Sequence, residues 1–161
     1  MGYRQLTVNG QLVIDAASSG RARIKSHAEY LVFETETLRK MVQITDKIER
    51  IVKHSGLKGR LCTVSPMRIA ASVFANDLES ELIEDIGKWL EDLAPARPRL
   101  QTPPNREDNG DAHLKLLLLH HETTLPVTGD RLDLGTRQRA LYVEFDGQLS
   151  KRVIVKVLGI E

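Results

Sequence analysis

Asp77 and Asp85 stand eight residues apart in "NDLESELIEDIGKWLEDLAP". That is a little over two turns of helix, so both carboxylates could project toward one side. Paired there, they could hold a divalent cation or work as acid and base. Equally, Asp77 caps the helix and Asp85 is a solvated surface charge. A second stretch, "NREDNGDAHLKLLLLHH", gathers Asp108, Asn109, Asp111 and His113 around a helix start. Free N–H groups at such a start accept an anion, and His113 there is a candidate ligand or base. If the leucines are helical, His113 and His120 share a face seven residues apart, and His121 is rotated by about 100°. Two histidines so spaced cannot chelate one metal. "LDLGTRQ" sets Gly135 beside a polar triplet after a strand, where backbone can approach a ligand or simply turn. No serine-nucleophile motif, phosphate-gripping glycine loop, HExxH or CxxC pattern occurs in the sequence.

The elements that carry these residues fit one domain. A chain of 161 residues and 18.1 kDa can bury one real core and has little room for two. With 41% hydrophobic and 28% charged residues it reads as globular, not disordered. A net charge of +1 and few aromatic rings disfavour nucleic acid as a partner. The one cysteine, Cys62, excludes an internal disulfide and a cysteine zinc cluster, and its apolar surroundings predict an inert buried thiol. No run approaches the length of a membrane span and no signal peptide is seen, so a soluble cytoplasmic protein is expected.

Along the chain, residues 1–26 hold a short hairpin turning at Asn9-Gly10, then "AASSGRAR", and read as an extension or leader to a single domain over 27–161. "EYLVFET" is a strand. "ITDKIERIVKHSGLKG" is a helix capped by Thr45 and stopped by Gly56. "RLCTV" and "AASVFA" are strands on either side of Pro66. The next helix starts at Asn76 or Asp77 and closes at Pro95, with Leu82, Ile83, Ile86, Trp89, Leu90 and Leu93 facing the core. "ARPRLQTPPNRED" is a loop, and "TTLPVTGDRLDLG" turns at Thr128-Gly129-Asp130. "RALYVEFDGQLSKRVIVKVLG" reads as a hairpin bending at Asp146-Gly147. Strands interspersed with single helices give an α+β class with largely antiparallel sheets.

These pieces, in this order from about Glu29 to Glu161, resemble the YjbQ-like family, whose members have been described as secondary thiamine-phosphate synthases. The resemblance implies a β-sandwich that assembles as a homotrimer, with sites near subunit contacts. The matching positions are Asp77, Asp85, Asn109, His113, Gly135, Gln138, Glu144 and Arg152. It implies catalytic roles for His113, Asp85 and Asn109, and substrate binding by Arg68, Gly135, Gln138 and Arg152. A divalent metal, Mg or Zn, would sit on Asp77, Asp85 and His113. The implied chemistry joins a pyrimidine pyrophosphate to a thiazole phosphate, with cation and basic groups stabilising the departing pyrophosphate.

Three departures alter the implied site. Arg68-Ile69-Ala70 stands where the family has His-Thr-Thr or His-Ile-Thr, and Arg137 stands where it has Trp. The Tyr-x-His of the long loop is missing from "RPRLQTPPNR". A guanidinium neither ligates metal nor shuttles protons at neutral pH, but it can grip phosphate as a bidentate donor. It can equally salt-bridge to Asp77 or Asp85. A transferase with an altered site, a non-catalytic binder of a phosphorylated small molecule, and a purely structural trimer all stay open.

Overall fold

The computed structural model describes residues 4–8, 11–15, 23–34, 40–96, 109–146 and 150–160. Strand β1 (Arg4–Val8) pairs antiparallel with β2 (Gln11–Asp15), with Val8 opposite Gln11, and the turn expected at Asn9-Gly10 lies outside the described residues. The main sheet is built around a strand whose side chains alternate strictly. In "SKRVIVKVLGI", Lys151, Val153, Val155 and Val157 are buried while Arg152, Lys156 and Leu158 are exposed. This period of two is what a strand with one covered face requires.

That strand and its neighbours are β3 (Ile24–Glu34), β5 (Lys58–Pro66), β7 (Thr123–Thr128), β8 (Arg131–Leu132) and β10 (Ser150–Ile160). They form one five-stranded sheet in the order β3-β10-β5-β7-β8. A second sheet, β4-β9-β6, joins β4 (Lys40–Gln43), β6 (Ala71–Asn76) and β9 (Arg139–Glu144). Every pairing is antiparallel. Cys62, Val64, Leu125, Val153, Val155 and Val157 of the large sheet share one core with Ala71, Val73, Ala140 and Tyr142 of the small one. Ile44 and helix α1 (Thr45–Ser55), through Ile48, Ile51 and Val52, complete that core.

Turn chemistry acts where the sequence places it. Gly56 ends α1 at φ +64, and Gly129 and Asp130 take φ +55 and +67 in the β7–β8 turn. The pairing of β10 with β5 shifts register between Leu158 and Ile160. A Cβ on Gly159 would lie 2.8 Å from the Lys58 carbonyl oxygen, so only glycine fits that bulge.

Four expectations are corrected. The last two strands are not a hairpin: β9 lies in the small sheet and β10 in the large one, because the chain crosses between layers after Asp146. Thr45 does not cap α1. Its hydroxyl accepts the N–H of Ala140 at 2.9 Å and ties the helix to β9. Helix α2 (Ser80–Leu93) is entered from Glu79, while the Asn76 and Asp77 carbonyl-type oxygens accept the N–H groups of Asp77 and Leu78 instead. Of its six apolar residues Leu90 alone is buried, and Trp89 and Leu93 stay more than half exposed. The apolar stripe exists, but the thin three-stranded sheet does not cover it.

Helix α3 (Gly110–Leu119) inverts its hydropathy. Lys115 is 1% exposed, while Leu117 in the middle of the leucine run is 76% exposed. The buried ammonium is neutralised by Glu91 at 2.9 Å and Asp111 at 2.6 Å. The helix ends at His120, whose backbone takes φ +63 and whose carbonyl accepts the Ser72 hydroxyl at 2.5 Å. Among the described residues no helix is long and apolar enough to cross a membrane.

Candidate functional site

Tyr142 and Glu144 are two residues apart on β9 and therefore share the face turned into the sandwich. Glu144 is wholly buried, and its oxygens are all engaged: Oε2 accepts the Tyr142 hydroxyl at 2.5 Å and Oε1 the Asp146 N–H at 3.1 Å. Lys151, also wholly buried, brings Nζ to 3.5 Å from Glu144 Oε2 and donates to the Asp146 carbonyl at 3.1 Å. β10 alternation turns Lys151 inward. Burial raises the Tyr142 phenol far above its ordinary value, and the carboxylate it donates to pushes the same way; the Arg68 guanidinium opposes both. The pair is charge-balanced and hydrogen-bonded, as a buried pair must be.

The network reaches solvent at Asp146. Its Oδ2 accepts Asn109 Nδ2 at 3.0 Å and lies 3.6 Å from Nη2 of Arg68. Asn109, which opens α3, spends its side chain on this bond and makes no side-chain cap. Arg68 is partly buried, and its distance to Asp146 is too long for a hydrogen bond. A planar fork of N–H donors is thus held at a half-open rim by Coulomb attraction, and its geometry matches that of a bidentate oxyanion. A cavity of about 180 Å³, lined by Lys40, Ile83, Glu91, Lys115, Glu144 and Phe145, shares Glu144 with this network.

The other sequence-predicted positions lie elsewhere. Asp77 is ion-paired to Arg137 Nε at 2.5 Å, and Arg137 also bonds Glu79. The arginine in the family's Trp position thus takes the carboxylate expected to bind metal. Asp85 is 72% exposed on α2 beside Lys88, 3.5 Å away. Arg68 therefore pairs with neither Asp77 nor Asp85, but with Asp146. His113 is half-buried on α3. Within one chain Asp77, Asp85 and His113 do not form a converging ligand set among the described residues. The divalent ion implied for them does not fit this arrangement.

Gly135 and Gln138 close a tight loop on each other. The Gly135 N–H donates to Gln138 Oε1 at 2.9 Å, and the Gln138 N–H to the Gly135 carbonyl at 2.9 Å. This loop borders an open cleft of about 310 Å³ with Asp46, Glu49, Arg131 and Arg139, separate from the Asp146 rim. Arg152 points out of the sandwich, its guanidinium 4.4 Å above the Tyr30 ring.

Asp146, Lys151 and Tyr142 were not legible as site residues. Asp146-Gly147 has the composition of a hairpin bend, and Lys151 adjoins Arg152, the basic residue that the family resemblance implies. The alternation of β10 was the available signal, since it separates Lys151 from Arg152 by face.

The model of the family described as "UPF0047 protein YjbQ-like" matches residues 29–160. A UPF0047 protein of Archaeoglobus fulgidus is 38% identical over 128 residues, covering 80% of this chain and 98% of that protein. Another from Synechocystis is 29% identical over 144 residues, covering 88% and 97%. Among solved structures, a YbjQ-like protein of unknown function from Sulfolobus solfataricus superposes with a TM-score of 0.78 at 32% identity, over 85% of this chain and 99% of that one. A hypothetical protein from Aeropyrum pernix gives 0.77 at 29% identity, over 83% and 98%.

Proposed function

Since the chain belongs to the UPF0047 protein YjbQ-like family, we propose that it binds a phosphorylated small molecule at the Arg68–Asp146–Asn109 rim. The observation that carries this reading is the loose Arg68–Asp146 contact of 3.6 Å beside a buried network that is otherwise fully paired. An incoming phosphate gains two charge-assisted bonds from Arg68 and the second N–H of the Asn109 amide, whose first N–H stays on Asp146, and the buried Lys151–Glu144 pair holds the rim in place. Thiamine-phosphate synthase activity is the second reading, favoured by the positions Asn109, His113 and Glu144 that match the family motif. It asks for pyrophosphate stabilisation, and the carboxylates implied for the metal are tied to Arg137 and Lys88.

Titration calorimetry with pyrophosphate and with thiazole phosphate tests the binding. Arg68→Ala weakens it at least about tenfold and Arg68→Lys less so, since a point charge replaces the fork. Affinity unchanged in Arg68→Ala removes the rim from consideration. Thiamine-phosphate formation above a heat-killed control would instead favour the transferase.

The homotrimer implied by the resemblance is part of the same proposal. Trp89, Leu93, Leu114, Leu117 and Leu118 are exposed on α2 and α3, and an assembly would remove such surface from water. Light scattering checks this directly: three 18.1 kDa chains are expected in one particle, and Leu117→Glu shifts the mass toward one chain.

A further inference from the structure

Three metal-binding side chains meet far from Asp146, where the end of α1 crosses the edge strand β3. His27 and Glu29 are two residues apart on β3, so they share a face, and they stand opposite the buried Val157 and Val155 of β10. His54 comes from the last turn of α1, 25 positions beyond Glu29. Glu29 Oε1 is 2.7 Å from His27 Nε2 and 2.8 Å from His54 Nδ1. The two rings lie 5.8 Å apart at 66°, and all three ligand atoms fall within 4.8 Å of one another. Among the described residues, no other group of histidines, cysteines and carboxylates converges in this way.

We propose that His27, Glu29 and His54 form a binding site for a divalent transition metal, which clips β3 to the end of α1. Both imidazoles already direct a nitrogen at one carboxylate oxygen. An ion with bonds of about 2.0–2.2 Å to N and O fits among these atoms after small side-chain rotations. Two imidazoles and one carboxylate favour zinc, nickel or copper over magnesium or calcium, which prefer all-oxygen shells. His54 is 76% exposed, so the fourth position opens to water. The site shares no residue with the Asp146 rim, nor with the Asp77, Asp85 and His113 set.

The test uses the full chain without an affinity tag, stripped with chelator. Zinc and cobalt are titrated by calorimetry, and cobalt also by its visible absorption, with magnesium as control. One zinc per chain is expected, with no magnesium signal, and the melting temperature rises with zinc because the ion binds the folded chain. His54→Ala, at an exposed position, and His27→Ala each weaken zinc at least about tenfold, since each removes one of three ligands. His113→Ala leaves it unchanged. Absence of saturable zinc binding overturns the proposal, as does binding that survives His54→Ala or disappears in His113→Ala.

Discussion

Glu144→Ala is expected to cost about 3–5 kcal/mol of folding stability, read from the midpoint and slope of urea unfolding. The loss is large because both partners are wholly buried. Removing the carboxylate leaves the Lys151 ammonium with the Asp146 carbonyl among the described residues, and it removes the acceptor of the 2.5 Å Tyr142 hydroxyl bond. Lys151→Met does the same in reverse to the carboxylate. The double variant Glu144→Leu with Lys151→Met recovers much of the loss, because no charge is left buried alone. Additive costs in that cycle would show that the two groups are not coupled. The pair therefore supports the position of Asp146 more than net stability, and the double variant should fold while losing affinity for pyrophosphate.

Alkaline pH is the second large lever. Burial pushes the Cys62 thiol up from 9.0 to about 12. The folded chain thus keeps a proton that the unfolded chain releases above pH 9. Stability is complete below that pH and falls as pH rises toward 12, by about 1.4 kcal/mol per pH unit. Tyr142, whose phenol is raised from an ordinary 10.0, adds a second slope of the same sign at higher pH. Urea midpoints measured from pH 8 to 11 separate the two groups. Cys62→Ala removes one proton's share of the slope and Tyr142→Phe the other. A slope identical in the wild type and Cys62→Ala would remove the thiol as a cause.

The sequence carried those parts of the fold that depend on a few neighbouring residues. The period of two in "SKRVIVKVLGI" identifies a half-buried strand, and Gly56 and Gly129-Asp130 mark a helix end and a turn because glycine and aspartate tolerate positive φ. The ordered motifs likewise indicate the family, and the Arg68 and Arg137 departures are visible without coordinates. Partners distant in sequence are not. That Arg68 meets Asp146 and Arg137 takes Asp77 depends on β6 pairing with β9, which sets Ala71 opposite Glu144 and Asn76 opposite Arg139, although 78 and 60 positions separate the partners.

The same limit explains β9 and β10. Local patterning shows two strands around Asp146-Gly147, but each strand joins the sheet whose face completes its burial, and that is a property of the whole sandwich. The leucine run lies on α3, yet Lys115 is buried there beside Ala112, because Glu91 and Asp111 neutralise it while Leu117 has no covering layer among the described residues. Residue types and spacing determined the elements and the family. Tertiary packing alone decided which charges are paired and which remain able to receive a ligand, because electrostatic pairing depends on distances that sequence separation does not set.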